Sequence, residues 1–388
     1  MTQATHDTPA GLPGLLYGET ENELRAAVRA LLQDRAAPGA VIARTETAQT
    51  YDTGLWKALA ADLGCAGLLI PESLGGAGAS YREAAVVAEE IGRSAGPVPY
   101  LGSAIVATAA ALSAGDDELL AALAAGTTTA ALAVPFPAAP GAVPAATIRV
   151  GPPRDGDPAG TARLSGTVTS LIDALPADVL LVPADGVPYG LYAVPAAGPG
   201  VTLTPVVSLD MTRQLCDLTL DGAVGRPVAT GQAAERAVGA ALTAGAAMLA
   251  SEQLGLAERC LEMTVAYLKE RRQFARPVGS FQALKHRLAD LWVGVTQARA
   301  AARYAAACLA AGDPDVPVAV ALAKAACGDV AIWASQECIQ LHGGIGFTWE
   351  HPAHLYLKRA KAASVAYGTP GAHRAALAAL VDLPAPGA

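Results

Sequence analysis

A chain of 388 residues is longer than one hydrophobic core usually organises, so two or three packed units are expected. With 52% hydrophobic, 16% charged and only 5% aromatic residues, the core must be filled by Ala, Leu and Val, which suits closely packed helices. A net charge of -8 excludes a phosphate-tracking nucleic-acid surface, because an acidic chain gains nothing from counterion release; an anion must instead be held by a few local cations or backbone N–H groups.

The N-terminal MTQATHDTPAG has no basic start followed by an apolar run, so no secretory leader is expected there. Helices fill the first part of the chain: Thr20 and Glu23 form a capping-box pattern, with Leu24, Val28, Leu31 and Leu32 following at helical spacing. Further helical patterns cover residues 51–63, 81–93 and 101–113, interrupted by Pro71 and the glycines of SLGGAG. The long uncharged stretches, Ser94 to Gly115 and Ala121 to Ile148, are too rich in Ala, Gly, Thr and Pro to span a bilayer, so no membrane partner is expected. From about 127 the chain changes to short runs of β-formers set off by Gly and Pro: AALAV, LSGTVTSLI, DVLLVP, YGLYAVP, GVTLTPV and LCDLTL. The rest is helical again. Leu242, Leu249, Leu256 and Met263 recur every seven residues along a stretch ending near Glu270, a helix on the order of 55 Å long that fits a four-helix bundle with an oligomer interface. Pro317 suits the first turn of a later helix, and Gly343-Gly344 its end. The expected organisation is an N-terminal α-helical domain (1–126), a middle β-domain (127–228) and a C-terminal four-helix-bundle domain (229–388). The six cysteines (Cys65, Cys216, Cys260, Cys308, Cys327, Cys338) are scattered without a C-x-x-C pair or metal-ligand spacing; they read as buried thiols of a reducing, cytoplasmic protein with no metal.

Two segments of the C-terminal part carry chemistry: Tyr267-Leu-Lys-Glu-Arg-Arg-Gln-Phe-Ala-Arg-Pro-Val-Gly-Ser-Phe-Gln282 and Cys338-Ile-Gln-Leu-His-Gly-Gly-Ile-Gly-Phe-Thr-Trp-Glu350. Together, in this order, and followed by the basic helix Leu355 to Lys361, they closely resemble the acyl-CoA dehydrogenase family. The likeness extends over the whole chain, since helical domain, small β-barrel or sandwich, and four-helix bundle is also that family's fold: mainly α with a central β-domain. The resemblance implies FAD as cofactor. It assigns Arg271, Gln273, Phe274, Gln282, Gln340, Leu341, Gly343 and Gly344 to the ADP side of an FAD that the neighbouring subunit mainly binds. Arg271 would offer a guanidinium fork to the phosphates, Gln282 an amide to the adenosine half, Phe274 a packing surface, and the glycines a close backbone approach. Taken singly, Arg271 is a solvated helix end, Phe274 an ordinary core residue and Gly343-Gly344 a helix C-cap.

What is missing matters as much. Homodimeric members carry a Thr-Glu-Pro then Gly-Ser-Asp loop where this chain reads Ala133-Val-Pro-Phe-Pro-Ala-Ala-Pro-Gly141, and a Trp-Ile-Thr-like strand where it reads Val168-Thr-Ser-Leu-Ile172. Dehydrogenation needs a carboxylate that takes the α-proton while hydride leaves the β-carbon for the flavin. The family's two places for that Glu match Tyr367, in Ala366-Tyr-Gly-Thr369, and Gly245. No catalytic base is therefore expected; Tyr367 titrates near ~10, and Glu252, Asp210, Arg213 and His342 read as structural residues. What a subunit gives its neighbour's FAD is kept, and what it uses for its own is lost. Within the family this resembles actinobacterial α2β2 enzymes acting on bulky steroid side-chain CoA esters, a likeness carried by the 349–361 run Trp-Glu-His-Pro-Ala-His-Leu-Tyr-Leu-Lys-Arg-Ala-Lys. The implied partners are a homologous subunit with the catalytic Glu, an acyl-CoA substrate and an acceptor such as electron-transfer flavoprotein. Two alternatives stay open: a self-sufficient homodimer with an unusual base or oxidase or monooxygenase chemistry, and a non-catalytic scaffold.

Overall fold

The computed structural model describes residues 14–384, so the leader-free reading of MTQATHDTPAG falls outside the described residues. The N-terminal helices are α1 (Glu19–Arg35), α2 (Pro38–Thr45), α3 (Thr53–Lys57), α4 (Tyr81–Ser94), α5 (Thr108–Ala114) and α6 (Asp117–Ala124), with π-helical turns at Ala58–Asp62 and Tyr100–Ala107. The first cap lies earlier than Thr20: Gly18 is the N-cap, and the Glu21 carboxylate accepts its N–H. Glu21 is also tied to Arg82 across the domain, and that ion pair selects it over Glu23. At α4, by contrast, Ser80 and Glu83 form a complete capping box.

Seven strands follow: β1 (Ala130–Leu132), β2 (Ile148–Gly151), β3 (Ala162–Ile172), β4 (Val179–Ala184), β5 (Gly190–Pro195), β6 (Val201–Val206) and β7 (Leu215–Thr230). Their order is β1-β4-β5-β7-β3-β2, with β6 also on β7; β1 and β4 pair in parallel, and the other ladders are antiparallel. An extra bridge between Arg149 and Asp185 ties β2 to the end of β4 and closes the sheet on itself. Strand β7 runs past residue 228 because its second half pairs with β5 while its first half pairs with β3 and β6.

Helix α7 (Gln232–Glu270) carries the seven-residue pattern, and a two-stranded hairpin, β8 (Arg272–Gln273) and β9 (Arg276–Pro277), follows it. Then come α8 (Gln282–Ala311), α9 (Val316–His342) with Pro317 in its first turn, α10 (Ala353–Val365) and α11 (Pro370–Leu380). The segment Val316–Phe347 is long and apolar enough, by length and composition, to cross a membrane; in this fold it packs against α7, α8, α10 and α11. Helix α4 crosses α7 closely enough that a Cβ on Gly92 would lie 2.0 Å from the Glu252 carbonyl oxygen, and one on Gly255 1.8 Å from that of Glu89. The crossing therefore requires glycine on both helices. All six cysteines are buried and unpaired.

Candidate functional site

Helix α7 ends where the Arg271 N–H donates to the Tyr267 carbonyl (2.8 Å) and the chain turns into the β8–β9 hairpin. Its two turn residues, Phe274 and Ala275, have φ of +53° and +62°, the pair of left-handed residues a tight hairpin demands. Neither is glycine, so each holds strain of roughly 1 kcal/mol. The turn projects Phe274 outward, 86% exposed, edge-on to Phe281 at 6.1 Å, with the Arg276 guanidinium over the other ring at 3.9 Å. Phe274 is thus not a core residue of this chain. Arg271 is exposed and, among the described residues, has no acidic partner within 4.0 Å.

Gln282 is the first residue of α8, and Gln340 and Leu341 lie in the last turn of α9; both glutamines are exposed. Beyond α9, Gly343 takes φ +65°, and a Cβ at Gly343 or Gly344 would meet no heavy atom within 4 Å. His342 supports this turn from behind. It is buried, its Nδ1–H donates to the Cys338 carbonyl at 2.6 Å, and its ring stacks on Tyr267 at 4.5 Å. Tyr267 therefore joins the root of the hairpin to the end of α9, and so brings the two sequence motifs together.

The two expected base positions lie in the buried interior. Gly245, in the buried middle of α7, has no room for a side chain: a Cβ would lie 2.9 Å from Val106 Cγ2 and 3.2 Å from the Tyr367 ring. The two expected base positions thus pack on one another. Tyr367 is buried in the left-handed region at φ +51°. Its N–H donates to the Phe136 carbonyl (3.0 Å), and its own carbonyl accepts from His373 Nε2 (2.8 Å). The Gly368 carbonyl accepts from Lys324 Nζ (3.1 Å), which also reaches the Ala363 carbonyl (3.0 Å). Burial, with Asp173 nearby, pushes the Tyr367 hydroxyl pKa well up, away from base chemistry.

Asp173, just after strand β3, is committed to local contacts. Its Oδ1 accepts from the Tyr51 hydroxyl at 2.8 Å and its Oδ2 from the Gly102 N–H at 2.9 Å, so its charge is spent on structure. Glu252 is equally committed: Arg213 reaches it at 2.6 Å and Arg359 at 2.9 Å. Burial would raise its carboxyl, but the two guanidinium groups hold it at about 2. Asp210 accepts from Thr212, whose hydroxyl accepts from Arg359, so the SLDMTRQ turn is a structural clamp.

An adenosine diphosphate group fits the first cluster. It offers a free guanidinium, two exposed amides, an outward aromatic ring and a glycine turn facing open space. In the second, the 133–141 loop is bonded to strand β3 (Phe136 N–H to Ser170 carbonyl, 2.9 Å) and to the Tyr367 turn (Tyr367 N–H to Phe136 carbonyl, 3.0 Å). Sequence reasoning missed Lys324 and Asp173. A lone cation in the run ALAKAACGDVA was the available signal for Lys324; Asp173 gave none.

Comparison with known proteins bears on the family. Family models described as "Acyl-CoA dehydrogenase, N-terminal domain" and "Acyl-CoA dehydrogenase, C-terminal domain" match residues 18–128 and 235–381. The acyl-CoA dehydrogenase IpdE2 of Mycolicibacterium smegmatis is 36% identical over 91% of this chain and 96% of its own length. Among solved structures, the Tcur3481-Tcur3483 steroid ACAD G363A variant is 30% identical with a TM-score of 0.80, covering 95% of this chain and 99% of that one. The ChsE4-ChsE5 complex from Mycobacterium tuberculosis is 27% identical with a TM-score of 0.83, covering 96% of this chain and all of its counterpart, 100%.

Proposed function

Because the chain belongs to the acyl-CoA dehydrogenase family, flavin-dependent oxidoreductases acting on CH–CH bonds, we propose that it is one subunit of a heteromeric α2β2 enzyme whose catalytic Glu comes from a homologous partner. One observation carries this reading: the two positions for the base, Gly245 and Tyr367, are in contact with each other, with no space for a carboxylate between them. The complexes among the structural relatives, ChsE4-ChsE5 and Tcur3481-Tcur3483, support a two-subunit assembly.

In this assembly Arg271, Gln273, Phe274, Gln282, Gln340, Leu341, Gly343 and Gly344 hold the adenosine diphosphate half of FAD across the subunit interface. FAD, when bound, supplies the hydride acceptor. Arg271 fixes the diphosphate by charge and geometry, and the Gly343-Gly344 turn lets backbone N–H groups approach it. The exposed Phe274, Phe347 (79%) and Trp349 (63%) would be covered by the partner. The substrate is an acyl-CoA thioester, of the bulky steroid type that the Tcur3481-Tcur3483 relative's description suggests. Electrons leave to an acceptor such as electron-transfer flavoprotein, and six unpaired thiols support a cytoplasmic setting.

Gly344→Ala tests the cofactor role without disturbing the subunit, since a Cβ there meets nothing within 4 Å. The variant should match the wild type in stability yet co-purify with its homologue carrying far less flavin. Undiminished flavin in the variant complex would point to the scaffold reading.

A further inference from the structure

The loop that carries the Gly343-Gly344 turn has a histidine at each end. His342 closes α9 and His351 precedes α10, yet their ring centroids lie only 4.4 Å apart. On its other side the His342 ring is stacked on Tyr267 of α7 at 4.5 Å. We infer that the His342–His351 pair is an acid-sensitive latch: at neutral pH it holds the 343–352 loop closed, and in mild acid it lets the loop open and loosens this subunit's grip on the adenosine diphosphate half of FAD. The flavin part rests on the reading above that the Gly343-Gly344 turn meets that group; the loop part stands on the contacts alone.

Three contacts make His351 the sensitive member. Its Nδ1 accepts the Ala353 N–H at 3.3 Å, which fixes a neutral ring with its hydrogen on Nε2; a second proton would occupy that lone pair and break the bond. Ala353 is the first residue of α10, so a charge on His351 would also face the positive end of the helix dipole. The third contact is the other imidazole. His342 is buried, with Nδ1 2.6 Å from the Cys338 carbonyl and 3.7 Å from the Cys338 Sγ. Burial opposes a charge on His342, but the contacts with Cys338 outweigh it and raise its pKa. His342 therefore takes a proton first. Burial, and then the His342 charge, push His351 down; Cys338 favours a charge on His351 too, but by less.

The remaining neighbours offer no compensating carboxylate. Tyr267 and Cys260 come from α7, the latter in contact with Cys338. From α10, His354 donates its Nε2–H to the Trp349 carbonyl at 3.1 Å, and the Lys358 ammonium lies over the Trp349 ring at 4.0 Å. Glu350 is exposed, and among the described residues no carboxylate comes within 4.0 Å of His342 or His351. Because the closed loop holds the His351 proton less tightly than the open chain does, at its ordinary 6.5, the latch is complete above 6.5 and weakens as pH falls below it. His354, lowered chiefly by burial, adds to this loss. His342 runs the other way, but its contribution is present in full below 6.5 and so does not offset the loss in acid.

The test compares wild type with His351→Asn, which keeps a side-chain acceptor near the Nδ1 position and cannot charge. In the isolated chain, hydrogen exchange is followed at the Thr348 and Ala353 amides, bonded to the Ile345 carbonyl and to His351, with each rate corrected for its intrinsic pH dependence. From pH 7.5 to 5.5 wild-type protection should drop relative to the variant by up to about tenfold, the most that one histidine with an open-chain value of 6.5 supplies. A relative change under about twofold would overturn the latch. Should the variant not fold, proton NMR of the wild-type His351 ring decides: a midpoint below 6.5 supports the latch, and one at or above 6.5 removes it. The co-purified complex then tests the consequence. At pH 5.5 the wild-type complex should release flavin several-fold faster than the His351→Asn complex, read by the fluorescence of the freed flavin. Equal release from both, alongside a pH-dependent loop, would overturn the control of flavin by the latch. Flavin that Gly344→Ala leaves undiminished would fail the cofactor reading instead, with the exchange result on the loop still standing.

Discussion

Replacing Glu252 by Gln should destabilise the subunit by about 3–5 kcal/mol at neutral pH, the loss expected when one partner leaves a buried ion pair. The structure gives the reason. Glu252 is 3% exposed in the middle of α7 and joins Arg213, before β7, to Arg359, in α10; both guanidinium groups are themselves buried. An independent route gives a similar size. The carboxyl falls from its ordinary 4.5 to about 2, despite the burial that opposes ionisation, because Arg213 and Arg359 face it. That shift corresponds to about 3 kcal/mol of stability. The sign follows from the folded value lying below the unfolded one: the contribution is fully present above 4.5 and is lost as pH falls toward 2. Urea unfolding of wild type and Glu252→Gln between pH 7 and pH 3 should therefore show a wide gap at neutral pH that narrows in acid. A gap under about 1 kcal/mol, or two parallel pH profiles, would refute the buried-clamp reasoning.

The remaining predictions concern the two ends of the site. Phe274→Gly removes a side chain from a left-handed turn position, so the isolated subunit should gain about 1 kcal/mol in denaturant unfolding while flavin retention by the complex falls; an unchanged flavin affinity would remove Phe274 from the cofactor contacts. Lys324 has its ammonium disfavoured by burial, which brings its pKa down to about 8 from 10.5. Between those values the unfolded chain holds a proton that the folded chain lacks, so wild type should gain up to about 3 kcal/mol relative to Lys324→Met as pH rises from 8 to 10.5. A pH-independent difference between the two proteins would mean that Lys324 titrates normally.

Long-range architecture was legible wherever one residue pattern persists. The seven-residue recurrence from Leu242 to Met263 marks α7 because a bundle helix must keep one face apolar over its whole length. The β-former runs mark six of the seven strands of the large sheet, while β2, at Ile148–Gly151, was missed: four residues between polar and proline-rich neighbours give too short an alternation. The hairpin turn at Phe274-Ala275 was hidden for another reason, since neither residue is of the type that left-handed turns prefer. At the site, the residues of the two motifs could be proposed from sequence, while the packing behind them could not. That Gly245 and Tyr367 touch, and that Lys324, His373 and Phe136 converge on one turn, depends on α7, α9, α11 and the β-domain meeting in space. Nothing in local spacing encodes such a meeting.

The central claim, that this subunit completes a partner's flavin site and has none of its own, is tested most directly by the visible absorption spectrum of the purified chain, expressed alone and then with its acyl-CoA dehydrogenase homologue. Flavin bands only after co-expression, at one FAD per pair of unlike chains, are the predicted result. Stoichiometric flavin on the chain by itself would contradict it and would return the search to a self-sufficient homodimer with an unconventional base.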